Sequence, residues 1–91
     1  MPRLEKSITI TNKLGLHARA ATKLAQLCQK FNAKVTIVLN DKEADASSIM
    51  ALMLLAGGQG KVVQVITDGE EAQQALDGVY KLFTDRFDES E

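Results

Sequence analysis

Residues 5–31 read EKSITITNKLGLHARAATKLAQLCQKF, and within this stretch the hydrophobic period changes once. From Glu5 to Thr11 polar and apolar residues alternate, with Ile8 and Ile10 on one face, which predicts a strand. Asn12-Lys13-Leu14-Gly15 breaks the alternation. From Ala18 onward, Ala21, Leu24, Ala25, Cys28 and Phe31 fall on one side of a helix, and Asn32 is its expected stop. A half-buried strand leading through a short loop into an amphipathic helix is the unit from which the remaining chain is read.

Lys34 to Leu39 alternates again, placing Val35, Ile37 and Leu39 together. Asn40-Asp41 suits a tight turn into a short polar strand from Lys42 to about Ala46. Ser47 or Ser48 can cap a second helix running through Ile49-Met50-Ala51-Leu52-Met53-Leu54-Leu55. Gly57-Gly58-Gln59-Gly60 must end it, because so many glycines together cannot sustain a helix. Lys61 to Thr67 predicts a fourth strand with Val63 and Val65 facing alike. Thr67-Asp68-Gly69-Glu70 reads as a capping box, with Glu70 and Glu71 at the positive end of the last helix. Ala72, Ala75, Leu76, Val79, Leu82 and Phe83 form that helix's apolar stripe, and the acidic tail, residues 85–91, is expected to fray. The order β-α-β-β-α-β-α, with strands apolar on one face only, predicts an α+β domain: one antiparallel sheet with helices on one side.

The 91 residues suffice for one core, so residues 1–91 read as a single domain. Eleven basic against twelve acidic side chains, net charge −1, lack the basic excess that nucleic acid or an anionic membrane surface selects. One cysteine, Cys28, excludes an internal disulfide and fits a reducing compartment; within the helix stripe it reads as a small core residue. The longest apolar run, Ile49 to Ala56, is far short of the roughly 20 residues of a membrane span. With no basic-then-apolar leader in view, the expected location is the cytoplasm.

A lone His and a lone Cys cannot build a soft-ligand metal site, and no P-loop sequence is present, so neither a metal nor another cofactor is expected. Asp41, Glu43 and Asp45 alternate along one strand and read as a solvated face. His17 differs by position. Leu14-Gly15-Leu16-His17-Ala18-Arg19 places it where the loop turns into a helix, whose first-turn N–H groups bind anions. Neutral imidazole is a nucleophile, and Arg19 supplies a permanent charge in a fork that suits phosphate oxygens. These groups together form a minimal phosphoryl-transfer kit. On spacing alone they also read as a histidine that caps a helix beside a solvated arginine.

Lys13-Leu14-Gly15-Leu16-His17-Ala18-Arg19-Ala20-Ala21 resembles the active-site segment of the HPr family, the histidine-containing phosphocarriers of the bacterial phosphoenolpyruvate-dependent phosphotransferase system. Asp45-Ala46-Ser47-Ser48-Ile49-Met50-Ala51-Leu52 resembles the family's second motif, and the resemblance spans essentially the whole chain. It implies an open-faced β-sandwich of four antiparallel strands and three helices, and a carrier, not an enzyme turning over small molecules. It implies that His17 holds the phosphoryl group on Nδ1, steadied by Arg19 and by the backbone N–H groups of Ala18 and Arg19. It also implies an enzyme I-type donor and a IIA-type acceptor. The sequence departs from the family where Ala20 replaces the usual Pro, and where Gln26, Gln29 and Ala51 stand at places that carry lysine in the sugar branch. With the very apolar second helix and the acidic tail, these departures resemble the nitrogen-related branch.

Within that second helix, Leu52 and Leu55 are the expected core pair, leaving Ile49, Met50 and Met53 as a docking patch beside the His17 loop. Ser48 reads as a helix cap; it also matches a serine that a regulatory kinase phosphorylates in some family members. Two other functions stand against the nitrogen-branch carrier. One is a sugar-branch carrier; the other is a regulatory module whose binding depends on its phosphorylation state. An RNA-binding module is disfavoured by the single Tyr80, the three Phe and the lack of basic excess.

Overall fold

The computed structural model describes residues 2–88. Four strands, β1 (Arg3–Thr9), β2 (Lys34–Leu39), β3 (Lys42–Asp45) and β4 (Val62–Asp68), form one sheet in the order β1-β4-β2-β3. Every neighbouring pair is antiparallel. Three helices, α1 (Ala18–Cys28), α2 (Ile49–Leu54) and α3 (Ala72–Thr84), cover one face. The alternation read from the sequence is realised residue by residue: Ile8, Val35, Ile37, Leu39, Val63 and Val65 point under the helices and are buried. Glu5, Ser7, Glu43 and Gln64 share the other, uncovered face and are exposed. This is the expected open-faced arrangement.

The helices approach closely because their inner stripes are small. Ala20, Ala21, Leu24, Ala25 and Cys28 from α1 meet Ala72, Ala75, Leu76, Val79 and Phe83 from α3 in one core. α1 also packs against α2. Asn40, at φ 53°, makes the β2–β3 turn together with Asp41, so Asp41 lies in the turn and not on the strand. Asp45 accepts from both the hydroxyl and the N–H of Ser47 (2.7 and 2.9 Å), and these bonds hold its carboxyl below the ordinary Asp range.

Three details differ from the sequence reading. The capping box does not form, because Thr67 is committed to β4, paired with Leu4 and Val35. Its buried hydroxyl donates to the Ala72 carbonyl at 2.9 Å. α3 starts after Glu71, so Glu70 and Glu71 lie before its first turn. There they accept from the Asn32 side chain and the Asn32 N–H, at 3.1 and 2.7 Å. Asn32 therefore joins the α1–β2 connection to the start of α3, and α1 itself stops earlier, at Cys28.

The tail does not fray through Asp88. Arg86–Asp88 form a single tight turn with Phe87 fully buried, its ring centroid 4.9 Å from that of Phe83. Lys23 of α1 donates to the Phe87 carbonyl at 2.8 Å and pairs with Asp88 at 3.6 Å. All three residues of the turn have φ between 55° and 63°, a left-handed conformation that disfavours side chains by on the order of 1–2 kcal/mol per residue. Burial of the Phe87 ring opposes that strain by roughly 1.5–3 kcal/mol. An aromatic residue inside an acidic run was the signal that the composition masked. The expected fraying of residues 89–91 lies outside the described residues.

Candidate functional site

The loop between β1 and α1 is held from below. Asn12, fully buried, donates from Nδ2 to the Gly15 carbonyl at 2.8 Å, and its own carbonyl accepts from the Gly15 N–H at 3.2 Å. Gly15 has φ +64°, and a Cβ there would collide with the Gly57 carbonyl oxygen and lie 2.9 Å from Gly58 Cα. Both its conformation and its crowding exclude a side chain. The next N–H, that of Leu16, donates to the Gly57 carbonyl at 2.9 Å, while the Leu16 side chain is buried. The loop is thus fastened to the glycine turn that ends α2.

His17 follows as the N-cap of α1, with extended backbone (φ −77°, ψ 178°), and its carbonyl accepts the first helical bond from Ala21 at 2.9 Å. Its half-buried side chain makes no capping bond. Instead Nδ1 lies 3.0 Å from the Gly15 carbonyl oxygen. A carbonyl only accepts, so Nδ1 carries the hydrogen in this bond. Ala18 and Arg19, both exposed, form the first turn. They present the positive end of an eleven-residue helix, a setting for an anion. Ala20, where the family's proline usually stands, is fully buried in the helix and packs in the core.

The second helix start is built differently. Ser48 is the N-cap of α2, and its hydroxyl accepts from the Ala51 N–H at 3.2 Å. Ser47, the other candidate, is bonded to Asp45 instead. Leu52 and Leu55 are buried, whereas Ile49, Met50 and Met53 are exposed. Leu54, 71% exposed, widens this apolar surface beyond the expected three residues. It also lines a shallow groove with Ala51, Leu55 and the β3 residues Lys42 and Glu43. A helix of six residues cannot turn all its apolar side chains to one sheet. Gln26 and Gln29 are exposed on α1, and Ala51 is half-buried.

Sequence reasoning missed Asn12 and Gly15 as the frame that holds His17; the signal was an Asn-x-x-Gly turn immediately before the helix. It also passed over a charge asymmetry. No Asp or Glu lies between Lys6 and Asn40, a stretch holding Lys6, Lys13, Arg19, Lys23, Lys30 and Lys34, and none between Ala46 and Thr67. The near-neutral total hides a segregation along the sequence, in which the His17 loop, α1 and α2 contain no Asp or Glu of their own. Cys28 lies in the core, where burial, followed by the charge of Asp45, pushes its thiol up to about 12, so it is not a reactive thiol. Among the described residues no three His, Cys, Asp or Glu side chains are grouped to hold a metal, and no helix is long and apolar enough to cross a membrane.

The family pattern described as "PTS HPr component phosphorylation site" matches residues 4–85. The chain is 48% identical over 90 residues to phosphocarrier protein NPr of Shewanella violacea, covering 99% of each chain. It is also 48% identical over 86 residues to phosphocarrier protein HPr of Xylella fastidiosa, covering 94% of this chain and 97% of that one. Among solved structures, HPr of Thermoanaerobacter tengcongensis superposes with a TM-score of 0.92 at 34% identity, over 97% of this chain and 99% of that chain. The chain therefore belongs to the HPr family, the phosphocarriers of the phosphotransferase system.

Proposed function

We propose that this phosphocarrier accepts a phosphoryl group on His17 Nδ1 from an enzyme I-type protein and yields it to a IIA-type protein in the nitrogen-regulatory branch. The observation that carries the reading is His17 at the N-cap of α1 without a capping bond, followed by Arg19 in the first turn. For transfer, Nδ1 surrenders its hydrogen to solvent while Nε2 holds one, so that the ring is neutral. The Nδ1 lone pair then bonds to phosphorus as the donor's bond to phosphorus breaks, its electron pair leaving with the donor atom. The N–H groups of Ala18 and Arg19 and the Arg19 guanidinium face the phosphoryl oxygens. Discharge to the acceptor is the reverse displacement.

Ile49, Met50 and Met53 form the docking patch, extended by Leu54, which shares a groove with Lys42 and Glu43. A carrier must release both partners, so the interface is small and transient. Ser48 acts as a helix cap; a phosphate there would place charge at the edge of this patch and weaken docking. Gln26 and Gln29 in place of docking lysines, Ala20, and the likeness to NPr support the nitrogen branch, whereas the equally similar HPr of Xylella fastidiosa keeps the sugar branch as the rival. A single buried cysteine, with no partner in the chain for a disulfide, fits the cytoplasm.

Intact-protein mass after incubation with phosphoenolpyruvate, Mg²⁺ and a nitrogen-branch enzyme I is the test. One acid-labile phosphoryl addition, lost completely in His17→Ala, is expected. Labelling only by the sugar-branch donor would move the protein to that branch. Labelling by neither would overturn the carrier reading and leave a module that binds partners unmodified.

A further inference from the structure

The Gly15 carbonyl accepts two side-chain hydrogens at once, one from Asn12 Nδ2 (2.8 Å) and one from His17 Nδ1 (3.0 Å). Gly15 and Asn12 are both buried, the backbone at Gly15 is left-handed, and the loop is fastened on either side by the Asn12 carbonyl and the Gly57 carbonyl. The carbonyl therefore has one direction to point, toward the ring. We infer that Asn12 is a positioning residue that, by pinning the Gly15 carbonyl on His17 Nδ1, favours the unphosphorylated ring and drives discharge of the phosphoryl group. The inference rests on the carrier reading with Nδ1 as the acceptor.

The physical reason is a difference between two states. In the free protein Nδ1–H donates to Gly15 O. Once Nδ1 is bonded to phosphorus it has no hydrogen to give, and phosphoryl oxygens are brought toward an oxygen that Asn12 keeps in place. The bond stabilises one state only, and a contact present in one state shifts the equilibrium between them. A buried donor on Gly15 O also prevents the carbonyl from swinging toward water to relieve the repulsion. A carrier gains from this, since a phosphoryl group bound without strain would be slow to leave.

The first measurement is the tautomer of the neutral His17 ring in the wild type, from ¹⁵N shifts and long-range ¹H–¹⁵N correlations. The hydrogen is expected on Nδ1; a neutral ring with Nδ1 bare overturns the proposal without any variant. The second is the ratio of phosphorylated to free protein at equilibrium with a fixed ratio of phosphorylated to free donor. Asn12→Ala should raise it roughly fivefold, the size of one neutral hydrogen bond. Asn12→Ser, which keeps a shorter donor, should return part of the way. No change, or a lower ratio, in a folded Asn12→Ala overturns the proposal. Circular dichroism of both variants identifies a folding failure, in which case the wild-type tautomer decides the matter alone. A wild type that takes no phosphoryl group at all overturns the carrier reading itself, an outcome distinct from a labelled protein whose equilibrium ignores Asn12.

Discussion

At the start of α2, Ser48 turns its hydroxyl to the Ala51 N–H; at the start of α1, His17 turns its ring back to the Gly15 carbonyl. The two N-caps share extended backbone, but they spend their side chains differently. A serine that satisfies its own helix stabilises that helix by about 1 kcal/mol and leaves one fewer N–H group for a ligand. A histidine that does not cap leaves the first-turn N–H groups of Ala18 and Arg19 without a side-chain acceptor from the cap. The stability that α1 lacks at its cap comes from below, through Asn12, Gly15 and the bond from Leu16 to Gly57. One helix start is capped by its own side chain, and the other leaves its first turn without a bond from the cap side chain.

The strongest way to break this contrast is to disturb the frame under His17. Gly15→Ala should lower unfolding stability by about 3 kcal/mol or more, since a left-handed φ and a collision with backbone act together. Urea unfolding measures it; a loss below about 1 kcal/mol would mean that the loop is not rigidly tied to the Gly57 turn. Ser48→Ala should cost about 1 kcal/mol by the same assay, with phosphoryl acceptance at His17 unchanged. A strong loss of acceptance in that variant would show that the α2 start takes part in the chemistry and is not only a cap. The mildest effect on stability, within about 0.5 kcal/mol, is expected for Met50→Asp, whose side chain is 70% exposed. That variant should nonetheless slow phosphoryl exchange with both donor and acceptor. Unchanged exchange rates with both would remove Met50 from the proposed docking patch.

The periodic parts of the fold were legible because burial has a period. Ile8, Ile10, Val63 and Val65, like Leu24 and Cys28, were placed correctly from spacing, and each lies in the core. The elements that were misread depend on partners far away in sequence. Thr67, read both as the end of the fourth strand and as the opening of a capping box, lies in β4 as expected, paired with Leu4 and Val35, and caps nothing. Glu70 and Glu71 do stand at the start of α3, but their carboxylates accept from Asn32, a partner that no local pattern names. Phe87 looked like part of a fraying tail until Phe83 and Lys23 enclosed it. Leu54 was counted into a helix without a side, because a six-residue helix over one sheet cannot bury every apolar residue it carries.

The sequence by itself determined the order of elements, the single helix-covered face, and the position of His17 at a helix start followed by Arg19. These follow from local patterns: a change of hydrophobic period, an interruption by Gly and Asn, and the chemistry of two side chains two residues apart. Only the tertiary structure decided which way the His17 ring turns, that Asn12 and Gly15 hold it there, and that the loop is fastened to the turn after α2. Those are contacts between residues that no period relates, made when the sheet brings Gly57 against Gly15. Hydrogen-bond direction and steric exclusion at that meeting point are properties of the folded arrangement, and they set which way the histidine ring turns.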